Sequence, residues 1–359
     1  MSQILKANQE RENIYTLHPK QLRYSIKFSD GQPTKIIIAK GQEHCLAKKR
    51  ISECVMGCLN CVEPKCMKMR PHEIECASFP KMSHEMNDAV CPVDAIRVGT
   101  KSITIDKNKC IGCGLCAHRC PVGAIHFENG KATLNEVDSY PVFILSLDVT
   151  AGNIKKQQEM LKTLVPFAHS GSLCIENGII MQKIYDKINR LSQDKQNLLA
   201  RNLLIECGCE CALSRKGDVY SRLDGFYENG NQMGALEIET GSDMLAVSRA
   251  ILDDIAVLNS RFAITPHENH PLAVILSLPN KRTDYWQVVK DIKAVLNISI
   301  STLTFGALLL FLWNGVEVND FDQFYIDVDH SSIRKQVEGE LGRPVRIPDG
   351  MNGILENSK

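Results

Sequence analysis

The feature that most constrains this chain is one run of twelve residues, Cys110-Ile-Gly-Cys113-Gly-Leu-Cys116-Ala-His-Arg-Cys120-Pro121. Three thiols at this spacing fit on one tight loop, where each can reach a separate iron of a single cube. Gly112 and Gly114 let the backbone turn inward without a Cβ clash and leave N–H groups to face sulfur. The run is half of a repeat. Cys91-Pro-Val-Asp-Ala-Ile is followed by RVGTKSITID, and Cys120-Pro-Val-Gly-Ala-Ile by HFENGKATLN. Each unit predicts a Cys-Pro, a short helix start and two short strands about a Gly-containing turn. Zinc also takes Cys-x2-Cys, but as two separated pairs. Four cysteines in eleven residues followed by Pro, with the unit repeated, point to iron–sulfur chemistry instead.

Eleven of the fifteen cysteines lie between Cys45 and Cys120; the others are Cys174, Cys207, Cys209 and Cys211. The opening MSQILKANQERENIY is polar and lacks an apolar h-region, so the chain is read as cytoplasmic. Cysteines in that setting bind metal more often than they form disulfides. The longest apolar run, Leu303–Trp313, is too short for a membrane span, which takes about 20 residues, and reads as a buried strand or helix. Lys+Arg and Asp+Glu are equal at 42 each, so bulk charge draws the chain to neither nucleic acid nor membrane. Residues 44–126 carry 12 basic against 8 acidic side chains, an excess that offsets the negative charge of thiolate-bound cubes. No P-loop or dinucleotide fingerprint is present, which excludes an ATP, flavin or NAD site of those kinds.

The run resembles that of bacterial two-[4Fe–4S] ferredoxins, over roughly residues 50–135. The resemblance implies crossed ligation. Cys110, Cys113 and Cys116 take Cys91 as fourth ligand, and Cys120 completes the other cube. That cube's remaining ligands are Cys58, Cys61 and Cys66, spaced x2 then x4 as in iron–sulfur subunits of molybdenum oxidoreductases. In that family a Cys-Pro follows after three residues. Here Arg70-Pro71 holds the place, and 24 residues separate Cys66 from Cys91. The difference reads as an insertion over 67–90. Cys54 is the nearest substitute ligand and Cys76 lies inside the insertion; these two and Cys45 otherwise read as spare thiols. His44, His72, His84 and His118 lie nearby and read as non-ligands. The implied role is electron transfer with a redox partner, and a non-catalytic scaffold is compatible with the same residues.

The flanks predict an α+β chain in three parts: a β-hairpin extension over 1–43, the two-cluster module over 44–138, and a mixed α/β domain over 139–359. YSIKF and TKIIIA around Asp30-Gly31 form the hairpin. PVFILSLDV from Pro141 reads as a buried strand, and a helix-rich stretch follows from about Asn153 to Cys211, its later part YDKINRLSQDKQNLLARNLLIE having apolar residues at helical spacing. Asp218–Tyr227 and Gly234–Thr240 read as strands joined by an Asn229-Gly230 turn. Ser242 is the expected cap of a helix to about Arg261, with Asp243 at its positive end. Pro271–Leu278 reads as a strand and Thr283–Leu296 as a helix.

Three acids stand together in this pattern. Glu237 and Glu239 alternate with Leu236 and Ile238, so period two puts both glutamates on one face. An antiparallel hairpin brings Asp224 beside Glu237, giving an oxygen-rich pocket for Mg²⁺. Asp, hairpin, Glu-x-Lys and helix is the pattern of the PD-(D/E)XK restriction-endonuclease-like core, which this segment resembles. Glu239 stands at the Lys position. The resemblance implies a nuclease with nucleic acid or a DNA-processing protein as partner, Glu206 as a further acid, and Lys281 and Arg282 as phosphate contacts. Cys207-Gly-Cys209-Glu-Cys211 with Cys174 supplies four thiols, either a metal set or thiols buried at a helix end.

Overall fold

The computed structural model describes residues 24–25, 37–38, 69, 74, 82–98, 103–119, 125–134, 176–230, 232–241, 243–351 and 353–357. It divides into two compact units, 1–68 with 89–173 and 69–88 with 174–359. Most of the expected insertion over 67–90 falls in the second unit.

In the first unit, β1 (Tyr24–Ser25) pairs antiparallel with β2 (Ile37–Ile38), giving the hairpin expected there. The cysteine repeat forms two further hairpins, β3 (Ile96–Val98) with β4 (Ile103–Ile105) and β5 (Ile125–Glu128) with β6 (Lys131–Leu134). Between them lies one helical turn, α1 (Leu115–His118). The second hairpin closes through Asn129 and Gly130, both at positive φ, the geometry that matches strand twist in a two-residue turn. Val93, Ile96, Ile111, Leu115, Ile125 and Phe127 are buried and form the small core.

The second unit is a five-stranded mixed sheet with helices. Its elements run α2 (Gly178–Ile188), α3 (Gln193–Glu206), β7 (Glu210–Leu213), β8 (Gly225–Asn229), β9 (Gln232–Glu239), α4 (Met244–Phe262), β10 (Leu272–Ile275), α5 (Asp284–Leu296), β11 (Ser301–Thr304), α6 (Phe305–Asn314) and α7 (Arg334–Leu341). Sheet order is β11-β10-β9-β8-β7, with β7, β8 and β9 antiparallel in turn and β9, β10 and β11 parallel. Parallel strands need cover on both faces, so β10 is apolar and buried along its whole length. Phe226 and Ala235 meet Val257 and Leu258 of α4 on one face. α3 packs on β7 and against α6. The apolar run at Leu303–Trp313 becomes the end of β11 and a helix buried from Phe305 through Trp313. Among the described residues no helix is long and apolar enough to cross a membrane.

Several local expectations shift. The helix-rich stretch holds two helices, α2 and α3, separated around Ser192, and its end becomes β7 because Gly208, at φ 98, ends α3. Asp218–Leu223 is a turn region, since the Asp218 carboxylate accepts the Tyr220 and Ser221 N–H groups at 2.8 and 3.3 Å. Only Gly225–Asn229 remains strand. Asp243, not Ser242, caps α4, by accepting from the Ala246 N–H. The strand expected from Pro141 lies outside the described residues.

Phe226 has no exposed surface and sits between the sheet and α4. Phe226→Ala is expected to cost about 3–5 kcal/mol, as for other buried aromatic truncations. Urea unfolding followed by tryptophan fluorescence checks it, because both tryptophans, Trp286 and Trp313, are buried in this unit.

Candidate functional site

Four thiols of the motif fall among the described residues. Cys113 and Cys116 are buried, while Cys91 and Cys110 are half-buried. The Cys-Pro turn at Cys91 aims backbone donors at its sulfur. The Ala95 N–H donates to Cys91 Sγ at 3.3 Å, and the N–H groups of Val93 and Ile96 also favour its thiolate. Gly112 and Gly114 take φ of 80° and 91°, where other residues are strained. A Cβ at Gly112 would also strike the Gly130 carbonyl. Both glycines are therefore required by the loop, as the sequence implies.

The thiols feel one another. Burial pushes Cys113 up to about 12, and the charges of Cys91 and Cys110 add to the rise. Cys91 is raised by burial first, with Cys110 contributing. Four thiolates enclosed by Ile111, Leu115 and Val93 need positive charge among them. No three His, Cys, Asp or Glu side chains among the described residues stand as a set for one metal ion. The donor set, the N–H groups aimed at sulfur and the glycine loop fit a cube. Cys58, Cys61, Cys66 and Cys120, with Cys45, Cys54, Cys76, His44 and His72, lie outside the described residues. His84 bridges to Ser214 in the second unit.

The three acids do come to one sheet end. The register Gly225 to Leu236 places Asp224 opposite Glu237. Sequence reasoning missed a fourth acid, Asp254 of α4, which is 3% exposed and has an Oδ2 without a hydrogen-bond partner. Its signal was present: Asp253-Asp254 interrupts an otherwise apolar helix face. Burial lifts Glu237 to about 9, and Asp224, Asp254 and Glu239 add to it. Burial likewise lifts Asp254 to about 8, with Asp224 and Asp253 adding and Arg222 opposing. The carboxylates are not arranged as a closed metal cage. Asp224 Oδ2 accepts the Ile238 N–H at 3.1 Å, and Glu239 turns back to the Gly241 N–H. Glu206 is not among the acids that perturb this group, and Lys281 and Arg282 are exposed. Asp224 borders a polar cleft of about 530 Å³ that Arg215, Lys216 and Arg222 also line.

Cys207, Cys209 and Cys211 are buried at the end of α3, in the following turn and on β7. Burial raises all three thiols. Among the described residues the three form no metal set; Cys174 lies outside those residues.

Comparison with known proteins supports the thiol site. The family model described as a 4Fe-4S binding domain matches residues 103–126. Hydrogenase-4 component A of Escherichia coli is 30% identical over 142 residues, 34% of this chain and 68% of that protein. The chain belongs to this 4Fe-4S ferredoxin-type family. An uncharacterized ferredoxin of Methanocaldococcus jannaschii is 50% identical over 43 residues, 12% of this chain and 28% of that protein. The formate dehydrogenase iron-sulfur subunit of Wolinella succinogenes is 54% identical over 39 residues, 11% of this chain and 20% of the subunit. The chain thus spans less than a third of the length of these last two relatives. No solved structure matches the chain.

The acid cluster gives this ferredoxin-type chain a pH signature. Folding holds Glu237 and Asp254 above their ordinary values, so the native state keeps protons that the unfolded chain releases. Stability from this source is complete below the ordinary carboxylate range and is lost as pH rises toward 8 and 9. Without added divalent metal, unfolding free energy is expected to fall between about pH 5 and pH 9, and Glu237→Gln should flatten that slope. Urea titrations across the range check it; an unchanged slope in the variant removes the assignment to Glu237.

Proposed function

We propose that this protein is an electron carrier built on two [4Fe–4S] clusters. One cube is held by Cys110, Cys113, Cys116 and Cys91, and the other by Cys58, Cys61, Cys66 and Cys120. The observation that carries the reading is the Cys91 turn, where Ala95 N–H meets Sγ while the charges of Cys110 and Cys113 bear on the same site. When bound, each cube supplies a one-electron couple. The chain's own groups set the conditions for it. N–H groups donating to sulfur stabilise the more negative state, and burial of Cys113 and Cys116 limits water. The relatives named as a hydrogenase component and a formate dehydrogenase subunit support a redox enzyme as partner.

Reconstituted protein is expected to hold on the order of eight irons and eight sulfides per chain and to undergo reversible reduction. Cys113→Ala should remove about half of the iron. Iron analysis with a spectroelectrochemical titration checks both; clusters that cannot be reduced without loss of fold would falsify the carrier reading.

A second reading concerns the C-terminal unit: Mg²⁺-dependent phosphodiester cleavage on a restriction-endonuclease-like core. The order α3-β7-β8-β9-α4-β10, with Asp224 leading into β8 opposite Glu237 on β9, supports it. These acids do not stand as a set for one ion, so Asp224 and Glu237 would have to draw together with Asp254 or Glu239 to hold the metal, and Arg215 and Lys216 at the cleft would meet phosphate. Cleavage of DNA or RNA in Mg²⁺ or Mn²⁺ is expected to drop by at least about 100-fold in Asp224→Ala and in Glu237→Ala. Equal cleavage by wild type and variants sinks this reading and leaves the carrier untouched.

A further inference from the structure

The turn between β7 and β8 runs from Ser214 to Asp224, and both of its limbs, Ser214–Asp218 and Arg222–Asp224, line the cleft. Its tip is Val219-Tyr220, which are 83% and 59% exposed. A turn needs no bulky apolar side chains, since Gly, Asn, Asp and Ser suffice. This one nevertheless holds two of them in a fixed place. The Asp218 N–H donates to the Arg215 carbonyl at 3.0 Å, the Asp218 carboxylate takes the Tyr220 and Ser221 N–H groups, and the Arg222 N–H returns to the Asp218 carbonyl at 3.4 Å. Leu223 anchors the turn in the core beside Phe226 and Leu258.

Tyr220 is braced by the end of α4. The Arg261 guanidinium carbon lies 4.8 Å from the ring centroid, and Phe262 packs edge-to-face at 6.1 Å. At 59% exposure the ring still keeps a large open area after these contacts. On the other side of the cleft Met86, 67% exposed, stands between Glu85 and Asn87, which are lining residues. Of the seven large apolar side chains exposed among the described residues, three thus belong to segments that line this one cleft.

Cations flank the aromatic tip: Arg215 and Lys216 before it, Arg222 after it. Lys216 pairs with Asp194 at 3.0 Å and Arg222 with Asp253 at 3.2 Å, and all four groups are at least half exposed. Exposed pairs of this kind are weak, so they hold the cations in place and yield them to phosphate. The acids lining the cleft are engaged in turn: Asp194 by Lys216, Asp218 by the Tyr220 and Ser221 N–H groups, Asp224 by the Ile238 N–H and Glu85 by the Asn87 N–H. Charge in the cleft is therefore close to balanced. A polyanion held there needs an attraction besides charge, and the open Tyr220 ring supplies one.

We propose that the cleft takes single-stranded nucleic acid, with an unpaired base stacked on Tyr220 and the neighbouring phosphates on Arg215, Lys216 and Arg222. The proposal rests on the phosphodiester reading of the C-terminal unit and names its substrate class. A duplex hides the faces of its bases and offers their edges, whereas stacking on a protein ring needs a base turned out of the helix. A single strand also presents base and phosphate in alternation, as the tip and its flanks require.

Fluorescence anisotropy on the full iron-loaded chain tests this, with a short labelled deoxyoligonucleotide and its duplex as probes. Divalent metal is left out, so the readout is binding without cleavage. The single strand is expected to bind about tenfold tighter than the duplex or better. Tyr220→Ala should weaken single-strand binding about fivefold or more and leave duplex binding unchanged, while Tyr220→Phe keeps the wild-type affinity. With three phosphates met, log affinity should fall against log salt with a slope of about −2, and Lys216→Ala should reduce that slope by about 0.7. Equal affinity for strand and duplex, an unchanged Tyr220→Ala, a slope that Lys216→Ala does not move, or no binding of either probe overturns the proposal. Failure of the nuclease reading looks different: single-strand binding as expected, with no cleavage once Mg²⁺ is added.

Discussion

The register of β8 against β9 governs the C-terminal unit. Gly225 opposite Leu236 places Asp224 beside Glu237, and the same pleat turns Phe226 and Ala235 toward α4. A slip of one residue would send Leu236 and Ile238 to the α4 face and carry Glu237 into the opposite layer. The Asn229 to Gln232 hairpin fixes the pairing from one end. Gly225 fixes it locally, because a Cβ there would lie 2.7 Å from the Ala212 carbonyl. Beyond β9 the strands turn parallel, and a parallel sheet must be covered on both faces. That requirement explains why α6 is buried throughout, and why the face of α4 near the acids is closed to bulk water.

Both candidate sites gather groups of one charge sign where water is scarce. In the cysteine-rich unit the loop lowers the cost in advance, through N–H groups of Val93, Ala95 and Ile96 directed at Cys91. At the sheet end the same help is sparse. Asp224 has the Ile238 N–H, whereas Asp254 Oδ2 has no hydrogen-bond partner. Glu237 and Asp254 are thereby held well above the ordinary carboxylate range.

The sequence made the hairpins and the glycine loop legible because short-range chemistry decides them: Cys-Pro, Gly112, Gly114 and the Asn129-Gly130 turn act within a few residues. It also placed Asp224 against Glu237, since period two and a tight turn suffice for that. It did not show Asp254, which joins the acids only because α4 crosses the sheet at one angle. Nor did it show β7: four residues after a glycine, Glu-Cys-Ala-Leu, carry little periodicity, and pairing with β8 makes them a strand. Asp218–Leu223 misled in the opposite direction. Its pattern suits a strand, but the Asp218 side chain captures two backbone N–H groups and bends it.

The spacing between Cys66 and Cys91 is the departure from ferredoxin-type sequences that a reading of the motif alone treats as damage. The fold gives it a different meaning. An insertion that merely lengthened a loop would expose its apolar residues, yet Met69, Ile74 and Met82 are buried in the other unit's core. An insertion that merely filled space would not need charge, yet the charges of Glu85 and Asp88, after that of Cys211, offset the burial of Arg201. Loop-closure entropy bears on the segment too, since an unpaired excursion of this length adds conformational freedom that folding must remove. Closing the neck with the Met69–Asp88 hydrogen bond and docking the tip on β7 removes that freedom.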